Sequence, residues 1–231
     1  MSMLLETGQR GLLVGQTGSG KTQDAIFQLR HAKQWPVFIF DTKIEDDFFG
    51  LAEGDETLDL VEGIDQWNAY SKKAKKDFAD YVLVRPLANE IQDFDILDQY
   101  TALAYNKFGS GLFYFDEIYN WHNAGRAGNG LLGLLTRGRS KGKTVLMATQ
   151  RPSWVSRFCI TEVQKFFIHM LADARDKKTL AEVIPGFSNT VNPPKFHFYH
   201  YEIGAMESAA LYAPVPFQKL DKKKIFSKKW F

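Results

Sequence analysis

The stretch GLLVGQTGSGKT, residues 11–22, decides the fold. Gly15, Gly20, Lys21 and Thr22 complete the spacing G-x-x-x-x-G-K-[ST], and Gly18 adds a glycine inside the loop. Leu12, Leu13 and Val14 read as a buried strand, and a helix is predicted to begin at Lys21. Between them Gly15, Gln16, Thr17, Gly18, Ser19 and Gly20 form a loop whose backbone N–H groups can curl around an anion, with a helix N-terminus behind them. Lys21 is placed to reach the β- and γ-phosphates of a nucleotide, and the Thr22 hydroxyl to hold Mg²⁺.

Downstream, Ala25, Ile26, Leu29 and Ala32 recur at helical spacing over 21–33, and Trp35-Pro36 stops that helix. VFIFD (37–41) is an apolar strand ending in an aspartate, followed by Lys43, Glu45, Asp46 and Asp47. Carboxylates without histidine or cysteine make a poor transition-metal site, so this cluster is expected to be a solvated acidic turn. Residues 65–81 read as a helix with Lys72, Lys73, Lys75 and Lys76 on its exposed side, YVLVRP (81–86) as a further buried strand, and 91–108 as a crossover helix.

The second decisive stretch is GLFYFDEI (111–118). A buried strand ending in two acids is costly unless the acids meet something positive. Beside a phosphate loop that partner is Mg²⁺, near or on Asp116, which leaves Glu117 to polarise the water that attacks the γ-phosphate of ATP. Residues 122–130 read as a glycine-rich loop in which His122 is a loop residue. The apolar helix after it ends among Arg137, Arg139, Lys141 and Lys143, where the helix dipole favours cations. KTVLMATQRPS (143–153) is another buried strand, and Gln150 at its tip suits a sensor of the γ-phosphate or of water. A strand at 165–171, a helix at 173–184 and a small β extension over about 190–218 follow, with His197 and His200 on opposite strand faces and therefore not a metal pair.

With 231 residues, 45% apolar and 24% charged, the chain suits one α/β domain over 1–218, with its core at 11–185, and a lysine-rich tail over 219–231. A net charge of +2 announces no nucleic-acid partner by itself; the tail lysines or those at 72–76 are the candidates for a phosphate backbone. Cys159 stands alone, which excludes an internal disulfide. No apolar run approaches the ~18 residues of a membrane span, and the first residues lack the build of a signal peptide, so a cytosolic protein is expected.

Together the phosphate loop, a strand ending D-x-K, a strand ending DE and a strand ending ATQRPS resemble the FtsK–HerA superfamily of DNA-pumping P-loop ATPases. The block RGRSKGKTVLMATQRPS (137–153) carries the specific part of the likeness, and FFIHMLADARDKKTL follows the family outline. The chain lacks FtsK's membrane spans, linker and winged helix and HerA's β-barrel. A stripped motor of this length looks like the genome-packaging ATPases of tailless, internal-membrane-containing double-stranded DNA viruses. The resemblance implies a RecA-like (ASCE) α/β fold with a mostly parallel sheet flanked by helices, ATP and Mg²⁺ as cofactors, and Gln150 as sensor. It also implies Arg139, with Arg137 in reserve, as a finger lent to a neighbour's site. Such a finger requires a ring homo-oligomer, by resemblance a hexamer, working on double-stranded DNA with capsid or vertex proteins, in the host cytoplasm and at the virion's packaging vertex. A Zot-like DNA-export ATPase and a small-molecule nucleotide kinase are the other readings open at this level.

Overall fold

The apolar runs read from the sequence become parallel strands of one sheet, because strands buried on both faces need no polar alternation. The computed structural model describes residues 3–44, 46–122, 125 and 128–220. The elements run β1 (Arg10–Val14), α1 (Lys21–Arg30), β2 (Val37–Phe40), β3 (Leu58–Glu62), α2 (Gly63–Tyr70), β4 (Tyr81–Arg85), α3 (Phe94–Lys107) and β5 (Gly111–Phe115). They continue as α4 (Ile118–Trp121), α5 (Asn129–Arg137), β6 (Lys143–Thr149), α6 (Phe158–Thr161), β7 (Lys165–Ile168), α7 (Ala174–Ala181), β8 (Phe198–Glu202) and β9 (Ala210–Tyr212). The strand order is β3-β4-β2-β5-β6-β1-β7-β8-β9. β1 to β7 are parallel, and β8 and β9 extend the same sheet antiparallel.

Successive side chains of each strand feed opposite cores. Leu12, Phe38, Phe40, Phe113, Phe115 and Met147 lie on one face, covered by α2, α3 and α5, where Trp67 and Trp121 meet a ladder of stacked rings. Leu13, Ile39, Tyr114, Leu146 and Phe167 lie on the other, against Ala25, Ile26 and Leu29 of α1. In register, Phe40 pairs with Phe115 and Phe115 with Met147, so the polar residues that end β2, β5 and β6 collect at one edge.

Several expectations change. The lysines at 72–76 are not on a helix: α2 stops at Tyr70, and the run forms a turn and a short 3₁₀ segment (Lys75–Asp77) leading into β4. Lys73 is partly buried there, 3.4 Å from Asp59 and over the Tyr70 ring. The acidic turn after β2 is not simply solvated, since Asp41 is fully buried and paired with Arg85 at 3.0 Å. His122 is buried too, its Nδ1 3.6 Å from Cys159 Sγ. Lys143 is no helix-end surface cation. It opens β6, fully buried, and its ammonium donates to the carbonyls of Ala104, Phe108 and Gly109 at the end of α3. Glu45 and the tail from Asp221 onward, with the lysines at 222–229, lie outside the described residues.

Candidate active site

The loop after β1 has the geometry that its glycines allow. Gly20 caps α1 with φ 108°, a left-handed conformation natural only to glycine. A Cβ on Gly15 would sit 2.6 Å from both His169 Cβ and Ser19 Oγ, so any side chain there would push the loop off β7. Gln16 N donates to Met170 O at 3.0 Å, and Gly15 N to Thr149 O at 3.2 Å, which seats the loop between the tips of β6 and β7. The first-turn N–H groups of α1 face the cleft that this leaves, which has a volume of about 310 Å³ and is lined by Thr17, Lys21, Thr22, Lys43 and Gln150 among others.

Asp116 and Glu117 end β5 at the same edge, 5% and 3% exposed. Buried carboxylates need donors, and both find them. Lys43 Nζ lies 3.1 Å from Asp116 and 3.0 Å from Glu117, and Lys21 Nζ lies 3.5 Å from Glu117. Tyr114 donates its hydroxyl to Asp116 at 3.0 Å. Gln150 donates to Glu117 through its side-chain amide at 2.9 Å and its backbone N–H at 3.3 Å, and its Oε1 accepts from Thr17 Oγ1 at 2.9 Å. Phosphate loop, acid and sensor are thus one hydrogen-bonded unit. Glu117 sits in the left-handed region with φ 48°, and such strain concentrates where a side chain must be aimed.

The charges follow from this packing. Burial lowers the Lys21 pKa from the ordinary lysine value, with Glu117 and Asp116 partly restoring it. Burial works against charge on Glu117 too, but Lys21 and Lys43 outweigh it and hold the carboxyl below the usual range. Burial opposes the Lys43 ammonium, and Asp116 and Glu117 overcome that and raise its pKa. Lys43 is positioned by Asp41, whose Oδ1 accepts from the Lys43 and Ile44 N–H groups at 3.0 and 3.2 Å.

The structure brings Lys21, Thr22, Asp116, Glu117 and Gln150 to one cleft, and it does not bring Arg137 and Arg139 there. Both arginines are exposed before β6 begins, while Gln150 follows its end, so a seven-residue strand, about 20 Å long, separates them from the cleft of their own chain. The ATQRPS stretch and the later D-x-R segment meet. Arg151 pairs with Asp173 and Asp176 at 3.3 and 3.6 Å, and Ser153 Oγ donates to Asp176 at 2.6 Å, which ties the sensor turn to α7. Sequence reasoning gave Lys43 no task of its own; the signal was its place two residues beyond a strand-ending aspartate. It also passed over Asp24 and His169, a buried pair at 3.2 Å beneath the loop, for which no spacing signal exists.

A hard divalent cation fits this donor set. Asp116 and the half-buried Thr22 offer oxygen ligands of the kind Mg²⁺ takes, and Asp116 already sits against a positive charge. Among the described residues no cluster of three or more His, Cys, Asp or Glu could hold a metal ion.

Sheet and site together define a class. The chain has a P-loop NTPase fold of the RecA-like kind, with β6 inserted between the P-loop strand and the Walker B strand and a glutamate beside the Walker B aspartate. Within that class it resembles the viral genome-packaging ATPases, as the sequence implied. The DNA packaging ATPase P9 of Enterobacteria phage PRD1 is 29% identical over 223 residues, covering 90% of this chain and 88% of P9. The genome packaging NTPase B204 of Sulfolobus turreted icosahedral virus 2, solved in complex with ATP-gammaS, matches 92% of this chain and 100% of its own with a TM-score of 0.66 at 17% identity. B204 of Sulfolobus turreted icosahedral virus, the DNA-packaging ATPase of that virus, gives a TM-score of 0.62 at 16% identity over 92% of this chain and 100% of its own. At such identities the structures speak for the fold. No family model matches the chain.

Proposed function

We propose that this protein is an ATP-hydrolysing motor that translocates double-stranded DNA and packages a viral genome into a preformed capsid. The observation that carries the reading is Glu117, buried at the tip of β5 and bonded at once to Lys21 of the P-loop and to Gln150 at the tip of β6. Such a unit links the state of the γ-phosphate to the group that activates water. The likeness to P9, a DNA packaging ATPase, supplies the task.

In this mechanism the loop N–H groups cradle the α- and β-phosphates and Lys21 reaches the β- and γ-phosphates. Thr22 and Asp116 would hold Mg²⁺, which would supply charge neutralisation to the phosphates. Glu117 orients a water and accepts its proton, while Gln150, reaching both Glu117 and Thr17, holds the carboxylate on the attacking side. Lys43 compensates the charge of the two acids. Arg139, or Arg137, is offered to the next subunit, which makes the working form a ring, by resemblance a hexamer. DNA is held electrostatically, without sequence readout, by exposed lysines such as Lys72, Lys75 and Lys76 and by those of the tail. Capsid or vertex proteins are the docking partners, and the motor acts in the host cytoplasm and at the packaging vertex. Among the described residues no helix is long and apolar enough to cross a membrane.

The test is ATP turnover with and without long double-stranded DNA, in the wild type and in Glu117→Gln. DNA should stimulate the wild type, and the variant should lose about 10²–10⁴-fold in turnover while still binding ATP. Turnover indifferent to DNA, with Glu117→Gln as active as the wild type, would overturn both the motor and the role of Glu117.

A further inference from the structure

The strand order gives the nucleotide cleft a direction. β1, which carries the P-loop, lies between β6 and β7. Apart from Lys21 of the loop itself, the groups assigned above to the γ-phosphate end hang from the β6 side: Lys43 after β2, Asp116 and Glu117 after β5, Gln150 after β6. A triphosphate is linear, and the loop cradles its α- and β-phosphates. With the γ-phosphate toward β5 and β6, the nucleoside leaves toward β7 and β8.

Phe196 stands at that exit. β8 runs antiparallel to β7 with Tyr199 opposite Ile168, so the start of β8 shares the sheet edge with the P-loop. A Cβ on Gly20 would lie 3.5 Å from Phe196 Cα and 3.5 Å from its Cδ1. The ring lines the cleft beside Gly18, Gly20, Thr22 and Gln23, yet the residue is 47% exposed, whereas Phe198, two residues on, is 1% exposed in the core. Phe196 has φ 66°, a conformation costly for a bulky side chain. A turn closed by His197 N donating to Pro194 O at 3.0 Å fixes its place, and Lys195 Nζ lies 4.9 Å from the ring centroid.

We infer that Phe196 is the base platform of the nucleotide site: the purine ring of the bound nucleotide stacks on it at the β7–β8 side of the P-loop. This inference rests on the proposed nucleotide site and deepens it. Stacking reads ring area rather than a hydrogen-bond pattern, so the site prefers purine over pyrimidine nucleotides and separates ATP from GTP only weakly.

The experiment is calorimetric binding of ATP, CTP and inorganic tripolyphosphate, each with Mg²⁺, to full-length Glu117→Gln protein with and without Phe196→Ala. Phe196→Ala should weaken ATP about tenfold, weaken CTP less and leave tripolyphosphate unchanged. ATP affinity within twofold of the parent, with tripolyphosphate binding intact, overturns the platform. If the parent binds tripolyphosphate but shows no preference for ATP over CTP, the base is not read by stacking and the inference also falls. If the parent binds neither ATP nor tripolyphosphate, the nucleotide site itself is wrong and the platform falls with it. Should Phe196→Ala lose tripolyphosphate as well, Phe196→Trp decides: a retained preference for ATP over CTP supports the platform, and its loss overturns it.

Discussion

His200 lies fully buried in β8, its ring 5.1 Å from Phe167 and 5.6 Å from Tyr212, and among the described residues neither ring nitrogen has a hydrogen-bond partner. Burial, reinforced by the nearby Lys165 ammonium and opposed by Asp24, pushes its pKa down to about 4. The folded imidazole therefore stays neutral while the unfolded chain takes up a proton below the ordinary histidine value. Stability from this residue is present above about pH 6.5 and is lost as pH falls toward 4. Relative to His200→Phe, which keeps an aromatic between the same rings, the wild type should lose roughly 2 kcal/mol between pH 7 and pH 4.5 in urea unfolding. Parallel pH profiles for the two proteins would show that His200 gains a partner in solution. The sequence placed His200 on the face opposite His197 and excluded a metal pair. It could not reveal that the ring is a buried neutral group, because that depends on what β7 and β9 put on either side.

At the scale of elements, α5 shows what its glycines are for. A Cβ on Gly130 would fall 2.2 Å from Ala102 N and 2.4 Å from Thr101 Oγ1, and one on Gly133 would fall 3.0 Å from the Tyr105 ring. The two helices cross with backbone nearly against side chain, which NGLLGLL permits and a run of larger residues would not. Gly130→Ala must push α5 off α3, and overpacking of this kind costs about 1–3 kcal/mol or more. That corresponds to a Tm lowered by roughly 2–12 °C in a protein of this size. An unchanged Tm would mean that the helices sit further apart than described. Lys143 belongs to the same junction: its ammonium caps the carbonyls that end α3, and burial, with Lys141 adding to it, brings its pKa down to about 8. The sequence showed a cation after an apolar helix and suggested the end of α5. Only the packing of β6 beside the end of α3 shows which helix that cation serves.

At the scale of the whole molecule, Arg137 and Arg139 are exposed at the edge of the sheet away from their own cleft. If one of them completes a neighbour's site, Arg139→Ala should lose about 10³–10⁵-fold in stimulated turnover with ATP binding intact. Mixing it with Glu117→Gln should restore part of the rate, since about a quarter of randomly formed interfaces would combine an intact glutamate with an intact arginine. Additive inactivity in the mixture, with no recovered turnover in a phosphate-release assay, would exclude a shared site. Arg137→Ala in the same assay separates the two candidates.

Much of this protein was determined locally. GQTGSGKT specifies a phosphate loop because glycine alone tolerates the backbone at Gly20 and the contact at Gly15, and that requirement is independent of the rest of the chain. The apolar strands and the acids at the tip of β5 were legible for the same reason: burial on both faces leaves a continuous apolar run, and a charge at its end stands out. The tertiary structure alone decided the strand order, and with it the neighbours of each tip. That order sets Asp41 beside Asp116, draws Lys43 between the acids, and joins Gln150 to Glu117 across two strands. β3, half-buried at the sheet edge, carried no apolar run to announce it. Asp24, His169 and Phe196 acquire meaning only from what the fold places against the loop, since hydrogen-bond partners and exposure are properties of neighbours distant in the chain.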